Sequence, residues 1–280
     1  MTAAVDELLW DASFPLLRLK GGGTRQFLHG QTSATIQQAP EQRLIRTCWL
    51  TATGRVRALL EVRLDGEGAD VLVLCGDADA VLEGFDRVIF PADRVKVKVA
   101  EPQRRVQRLR PAPQPLQWDN DVVWPSIAPL PEAWAALSGA DPEQLEQWRI
   151  SQGLPLSSQE LNGDTNPLEL GLADWVSLEK GCYLGQETVA KLASRDGVKQ
   201  KLRYWTMQPQ DSNTPLPQTG DTLHFEGERA GVITSAQQAD QQVQGLALIR
   251  RSFLDHSILT WGSASTPISL HQPPTYRDCG

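Results

Sequence analysis

The residue most suited to chemical reactivity is a cysteine close to two glycines. It lies in the octet Lys180-Gly181-Cys182-Tyr183-Leu184-Gly185-Gln186-Glu187. Apolar residues recur at helical spacing after the octet, and Glu187 lies four residues before Lys191, so a helix is predicted to begin near Gln186. Cys182 would then precede a helix N-terminus, where free N–H groups and the helix dipole favour an anion. With Lys180 nearby, we expect thiolate to be favoured over thiol. The alternative is a small residue that simply fits a glycine-rich turn.

Further polar residues fall on predicted turns and element ends before and after the octet. Arg149 precedes a predicted helix end, and Asn166 and Glu169 lie in the turn-like segment Asn166-Pro167-Leu168-Glu169. Such positions often converge on a cleft, so we expect these side chains and the octet to form one site. Three basic residues, Lys199, Lys201 and Arg203, follow the octet helix. They could attract an anionic ligand or form an exposed basic strand edge.

Composition excludes several classes of protein. The 280 residues suffice for two or three compact units, and 40% hydrophobic content supports ordinary cores. A net charge of -7 argues against a surface that binds polyanions, so direct nucleic-acid binding is not expected, despite a local cluster of arginines at 104, 105, 108 and 110. No apolar run has membrane-spanning length, and the N-terminus lacks the basic region of a secretory signal. We expect a cytoplasmic protein that does not contact a membrane.

Cysteine and glycine spacing excludes two kinds of site. The four cysteines, at 48, 75, 182 and 279, are widely separated, with neither a C-x-x-C pair nor a neighbouring histidine at ligand spacing. We therefore expect free thiols and no intrinsic zinc or iron-sulfur site. The three glycines at 21–23 lack both the G-K-[ST] ending and the G-x-G-x-x-G pattern of phosphate-binding loops, so they are interpreted as a turn.

Hydrophobic periodicity predicts the elements that must position these residues. Strands are predicted at 16–20, 44–50, 55–64, 71–75 and 95–99, with 44–50 and 55–64 forming a hairpin. Helices are predicted from Thr24, over 78–88, and from the capping residues after Asp141 to Gly153. The proline-rich stretch 101–131 is predicted to be a connector or exposed edge without long regular elements.

Short strands separated by turns follow near residues 202–207, 222–225, 231–235, 245–249 and 257–261. They predict a small antiparallel barrel at the C-terminus. The fold class is therefore α+β with an all-β appendage. We place the mixed region at 1–200, where it includes the connector, and the barrel at 201–280.

The segment Asn166-Pro167-Leu168-Glu169, residues 175–179 and the octet together resemble the YgfZ family, a branch of the glycine cleavage T-protein superfamily. Residues 19–21 and 27–34 are similar to the family's opening strand and helix, and residues 231–235 and 245–249 to its barrel strands. The octet, as K-G-C-Y-x-G-Q-E, is the most specific match, and the resemblance covers nearly the whole chain. It implies interlocked α+β folate-binding domains in a cloverleaf, with a small β-barrel, around a hole that accepts tetrahydrofolate.

The resemblance also implies a function. It points to a folate-binding accessory protein for iron-sulfur cluster assembly or repair, which supports tRNA modification indirectly and lacks classical enzymatic turnover. Its partners would be folate and client iron-sulfur proteins or assembly factors, and Cys182 would exchange with a thiol, persulfide or cluster ligand on the partner. Two alternatives stay open, a tetrahydrofolate-dependent aminomethyl or one-carbon transferase and a tRNA-binding module.

Matched residues receive candidate roles from this resemblance. A pterin presents an adjacent N–H and amine that the Glu169 carboxylate could accept as a pair. The other candidate folate contacts are Asn166, Arg149, Tyr183, Gln186, Glu187, Lys199 and Lys201, with Tyr183 either stacking on a ring or filling the core.

Two departures from the family pattern matter. Ser151 replaces the acid of the family's R-x-E-x-G helix, so folate is expected to bind more weakly or in another pose. Leu82, next to Glu83, stands near the position of the T-protein catalytic Asp. Aminomethyl transfer is therefore not expected.

Overall fold

The structure, a computed structural model, describes residues 7–41, 43–195, 197–209, 215–239, 242–263 and 265–279. Residues 1–6, on which part of the signal-peptide expectation rests, lie outside this set. The described residues form a seven-stranded sheet, with helices beside it, and a closed six-stranded barrel. No helix among them combines the length and apolar character that crossing a membrane requires.

The first half of the chain builds the sheet. Its elements are β1 (Leu8–Lys20), α1 (Thr24–Gln31), β2 (Leu44–Leu50), β3 (Val56–Asp65), β4 (Gly68–Gly76), α2 (Ala78–Asp86), β5 (Lys96–Leu109), α3 (Trp118–Asp121), β6 (Val122–Val123) and β7 (Ser138–Gly139). The strand order is β2-β3-β4-β1-β5-β6, with β7 added in parallel to β1. The predicted hairpin of β2 and β3 is confirmed, with Thr47 opposite Leu60.

Local signals explain where the helices begin and end. Asp77 caps α2 by accepting hydrogen bonds from two backbone N–H groups of its first turn. The predicted helix after Asp141 is α4 (Pro142–Gln152), which starts with a capping box between Asp141 and Gln144. Gly153 ends α4 at φ +76°, a conformation that glycine adopts at little cost. Helix α5 (Gln186–Ser194) begins where the sequence predicts.

The expectation of a proline-rich connector without long elements is wrong for its first part. Strand β5 runs through Pro102 and lies inside the sheet, between β1 and β6. The register shifts between the pairs Phe14–Gln103 and Leu16–Ala100, so Pro102 falls in a β-bulge, where the missing N–H breaks no ladder bond. Arg105, expected on a solvated edge, is fully buried against Glu61. Strand pairing thus outweighs local composition here.

The barrel follows α5. Its strands are β8 (Gln200–Met207), β9 (Thr222–Phe225), β10 (Glu228–Ala239), β11 (Gln242–Arg250), β12 (Ile258–Trp261) and β13 (Thr266–His271). They close in the order β10-β11-β8-β13-β12-β9 around a core of their own. Strand β13 was missed from the sequence, although buried Thr266, Ile268 and Leu270 alternate along it. The predicted α+β class with an antiparallel barrel is confirmed.

Candidate functional site

Glu169 lies at the wall of a cavity of about 900 Å³ where the barrel meets the mixed region. We call it the Glu169 cavity. It is lined by Arg55, Asp164, Glu169, Gly197, Val198, Lys199, Gln200, Arg250, Arg251, Ser252 and Asp255. Residues far apart in the sequence thus form one polar cavity beside Glu169, a residue that is only 4% exposed.

The turn of residues 166–172, here called the Glu169 turn, fixes this carboxylate. The Asn166 side-chain oxygen accepts the backbone N–H groups of Leu168 and Glu169 at 3.0 Å each, and one Glu169 carboxylate oxygen accepts the Asn166 N–H at 3.0 Å. Burial raises the pKa of Glu169, while the Asn166 N–H and the Arg55 guanidinium, 3.7 Å away, oppose that rise. Hydrogen bonds to Asn166 therefore position the Glu169 side chain.

A C-terminal strap, residues 273–279, holds the same turn from the other side. The Tyr276 hydroxyl donates to the Leu168 carbonyl at 3.0 Å, and the Arg277 N–H donates to the Gly171 carbonyl at 2.9 Å. A Cβ on Gly171 would lie 2.2 Å from the Tyr276 ring, so only glycine lets the ring approach this closely. Arg203, considered above as an anion-attracting residue, instead lies over the Tyr276 ring, with its guanidinium carbon 5.2 Å from the ring centroid.

Lys180 ties the octet to the end of α1. Its ammonium donates to three backbone carbonyls, those of His29, Thr32 and Ala34, at 2.5–2.7 Å. It also lies 4.6 Å from the Tyr183 ring centroid, and burial lowers the pKa of Lys180 to about 7. An ammonium has three N–H donors, and all three are used here, so none is left to bind a thiolate at Cys182.

The rest of the octet is arranged around an exposed thiol. Gly185 precedes α5 at φ +83°, and a Cβ there would lie 2.5 Å from the Thr51 carbonyl oxygen. The Gln186 side chain donates to the Lys180 carbonyl at 2.9 Å and closes the loop. Cys182 is exposed, makes no hydrogen bond among the described residues, and does not line the Glu169 cavity. Its thiol is free to meet a partner.

Other predicted site residues lie elsewhere. Arg149 is buried in a network with Glu146, Glu160 and Ser235, away from the lining of the Glu169 cavity. Tyr183 is 6% exposed and belongs to the hydrophobic core, as the core interpretation proposed. Two more candidates form ion pairs with residues of opposite charge, Glu187 with Lys191 at 2.5 Å and Lys201 with Asp278. Of the predicted basic residues, Lys199 lines the cavity.

Sequence reasoning missed Arg55 and Arg250, which line the Glu169 cavity from the β2–β3 hairpin and the end of β11. The sequence offers one local indication of such a role, which is a charged residue directly beside a turn. Arg55 follows Gly54 in this way. Ser151 and Leu82 supply no carboxylate to this cavity. Ser151 donates to the Trp148 carbonyl beside a different cavity, and Leu82 packs on the core beneath α2.

The remaining thiols are less accessible than Cys182. Burial raises the pKa of Cys48 to about 12 and that of Cys75 to about 11, and it also raises the pKa of Cys279. Among the residues that the structure describes, no cluster of three or more His, Cys, Asp or Glu side chains could hold a metal ion.

Comparison with known sequences gives relatives that match most of the chain and relatives that match about a third of it. An Arabidopsis thaliana protein, named as a candidate chloroplastic transferase, is 26% identical over 79% of this chain, which spans 60% of that relative's length. The tRNA-modifying protein YgfZ of Escherichia coli is 24% identical over 79% of this chain and 78% of its own length. An aminomethyltransferase of Moorella thermoacetica is 38% identical over 36% of this chain and 26% of its own. No family model matches the sequence.

Comparison with solved structures shows a shared fold. The glycine cleavage system aminomethyltransferase T from Bartonella henselae superimposes with a TM-score of 0.74, over 97% of this chain and 87% of that one. At 16% identity, this likeness concerns the fold alone. The expected T-protein-like fold is confirmed.

Proposed function

We propose, from the similarity of this chain to YgfZ and to an aminomethyltransferase, a folate-binding accessory protein that supports the assembly or repair of iron-sulfur proteins. The observation that carries the proposal is the buried Glu169 carboxylate at the wall of the Glu169 cavity. Tetrahydrofolate or a derivative is the proposed ligand, and it would serve as a carrier of one-carbon units.

The residues present fit such a ligand. The cavity volume of about 900 Å³ lies within the usual range for small-molecule sites. Glu169 would accept the paired N–H groups of a pterin, an interaction strengthened by its burial. Lys199, Arg55 and Arg250 line the same cavity and would attract the carboxylates of the glutamate tail.

Cys182 carries the second half of the proposal. Its thiol is exposed on the loop before α5 and lies outside the Glu169 cavity. We therefore assign folate binding to Glu169 and exchange with a partner to Cys182. The Cys182 thiolate would take the outer sulfur of a partner's persulfide and release the partner's thiolate, or replace a cysteine ligand of the partner's cluster. Client iron-sulfur proteins, and an indirect effect on tRNA modification, enter the proposal from the resemblance to the YgfZ family.

Aminomethyl transfer is the second candidate, favoured by the identity with the Moorella aminomethyltransferase. The structure counts against it, because Leu82 packs on the core beneath α2 and the neighbouring Glu83 is exposed. Formation of a one-carbon folate from a panel of small amine donors would support this candidate, and inactivity with all of them would exclude it.

Titration with tetrahydrofolate, followed by tryptophan fluorescence, tests the folate half. We expect Glu169→Gln to weaken binding at least tenfold, because one charge-assisted pair of hydrogen bonds is lost. Glu67→Gln removes an exposed acid paired with Lys20 and should leave affinity unchanged. Equal affinities for the wild-type chain and Glu169→Gln would refute the assignment.

Two further measurements separate the parts of the proposal. Only the carboxylate form accepts two N–H groups, so affinity should fall as the pH falls through the pKa of Glu169, which burial raises above 4.5. Glu169→Gln should lack this pH step. Cys182→Ser should bind folate normally but fail to activate a client iron-sulfur enzyme, and full activation by this variant would refute the thiol assignment.

A further inference from the structure

Arg46 is held between aromatic rings from two separate segments. Its guanidinium carbon lies 5.3 Å from the ring centroid of Trp118, on α3, and 5.9 Å from that of Trp175, which ends the short 3-10 helix Ala173–Trp175. The two rings meet edge to face at 5.2 Å. Stacking of this kind fixes the plane of a guanidinium and leaves its edges, which carry the N–H groups, available.

No polar partner uses those N–H groups. Within the described residues, Arg46 donates no hydrogen bond, and partial burial lowers its pKa. Arg105 offers a direct contrast, since it also lies over Trp118 but donates three hydrogen bonds of 2.8–3.0 Å to Glu61. Arg46 is half-buried, so its N–H groups remain open to the cavity and to an anion that enters it.

Arg46 lines a cavity of about 420 Å³, the Arg46 cavity, together with Ala34, Thr35, Gln38, Ala39, Pro40, Arg43, Leu44, Ile45, Asp119 and Asp174. The two acids are engaged elsewhere. Asp119 pairs with Arg43 at 3.3 Å, and Asp174 pairs with Arg277 at 3.6 Å. Both acids, and Glu61, attract the Arg46 guanidinium, but each of them has another arginine as its ion-pair partner. Arg46 is thus left without an ion pair among the described residues.

We propose that the Arg46 cavity binds the oxyanion of a small ligand, a carboxylate or a phosphate, with the edge of the Arg46 guanidinium as the receptor. Paired N–H groups on one rigid edge match the two oxygens of such an anion. Thr35 and Gln38 add side chains that can hydrogen-bond to the rest of the ligand. The site shares no lining residue with the Glu169 cavity and so does not depend on the proposed folate function.

The site also adjoins the octet. The Ala34 carbonyl, on a residue that lines the Arg46 cavity, accepts a hydrogen bond from the Lys180 ammonium at 2.7 Å. The Trp175 carbonyl accepts the Ser33 hydroxyl at 2.7 Å, and the Ser177 N–H donates to the Ser33 carbonyl at 2.9 Å. The wall of the cavity is thus hydrogen-bonded to the segment that leads to Cys182.

Calorimetric titration of the full chain with inorganic phosphate and, in parallel, with succinate tests the proposal. We expect saturable binding, and the tighter of the two probes identifies the class of ligand. Arg46→Gln should weaken that binding at least tenfold, and Arg46→Lys should weaken it less, because an ammonium keeps the charge but loses the planar fork. Arg57→Gln is the matched control, since Arg57 also stacks on a tryptophan, Trp49, but is exposed and outside the cavity.

The proposal is overturned if neither probe binds saturably, or if Arg46→Gln binds as the wild-type chain does. It is also overturned if Arg57→Gln weakens binding as much as Arg46→Gln, because the effect would then be one of net charge. Thermal unfolding checks that each variant is folded. If Arg46→Gln does not fold, Arg46→Lys takes its place in the test. An affinity of Arg46→Lys for the probe equal to that of the wild-type chain would then refute the proposal.

Discussion

Tyr276→Phe should loosen the turn that carries Glu169 while leaving the packing around it in place. The substitution removes only the hydroxyl that donates to the Leu168 carbonyl at 3.0 Å, in a side chain that is 3% exposed. The ring stays, so its contacts with Gly171 and Arg203 persist. The carbonyl keeps a long contact of 3.5 Å from the Gly171 N–H. We therefore expect a cost of about 1–2 kcal/mol, the lower part of the range for orphaning a buried acceptor.

Urea unfolding measures that cost, and hydrogen exchange followed by mass spectrometry locates it. Exchange at residues 168–172 should become faster in the variant without ligand, and folate affinity should fall with it because Glu169 is less well held. Tyr204→Phe is the matched control, since it removes a hydroxyl bound to Gln244 at 2.8 Å within the barrel. Unchanged exchange at residues 168–172 in Tyr276→Phe, or an equal change in Tyr204→Phe, would refute the role given to the strap.

Three other changes test the scaffold and the octet. Arg105→Met should destabilise the fold by about 3–5 kcal/mol in urea unfolding because it leaves Glu61 as an unpaired buried charge, and adding Glu61→Leu should recover much of that loss. Iodoacetamide at neutral pH should modify Cys182 well before the other cysteines, as read by peptide mass spectrometry. Gly185→Ala should lower the melting temperature, because its positive φ and a backbone oxygen 2.5 Å from the new Cβ both oppose a side chain, whereas Gly181→Ala, with nothing within 4 Å, should be neutral.

Elements specified by nearby residues could be predicted from the sequence. The alternation in β3 and the capping residues of α4 report on contacts within a few positions, and both elements lie where predicted. Strand β5 could not be predicted, because its prolines and arginines indicate a connector when considered locally. Its strand conformation comes from pairing with β1 along its length, between residues 76 to 101 positions apart, and from the Glu61 carboxylate that compensates buried Arg105.

In the candidate site, too, some residues could be predicted from the local sequence and others could not. Glu169 and Lys199 could be named in advance because motif and charge mark them in the sequence. Arg55 and Arg250 could not, since they reach the Glu169 cavity only through the packing of the hairpin and the barrel against the Glu169 turn. Arg149 was placed in the site because it is a polar residue near a predicted helix end, yet buried Glu160 and Ser235 hold it elsewhere. Charge in a sequence therefore indicates that a partner is needed without indicating which.

Structural demands explain most of the octet but leave its cysteine unexplained. Lys180 donates hydrogen bonds to three carbonyls at and after the end of α1, and Tyr183 packs in the core. Gly185 lets the octet backbone lie close to the β2–β3 hairpin. Gln186 closes the loop onto the Lys180 carbonyl. Each of these contacts would persist with serine or alanine at position 182, since the Cys182 side chain is exposed. A rigid loop that presents one accessible thiol is what exchange with a partner requires, and so the argument for Cys182 rests on the residues that surround it.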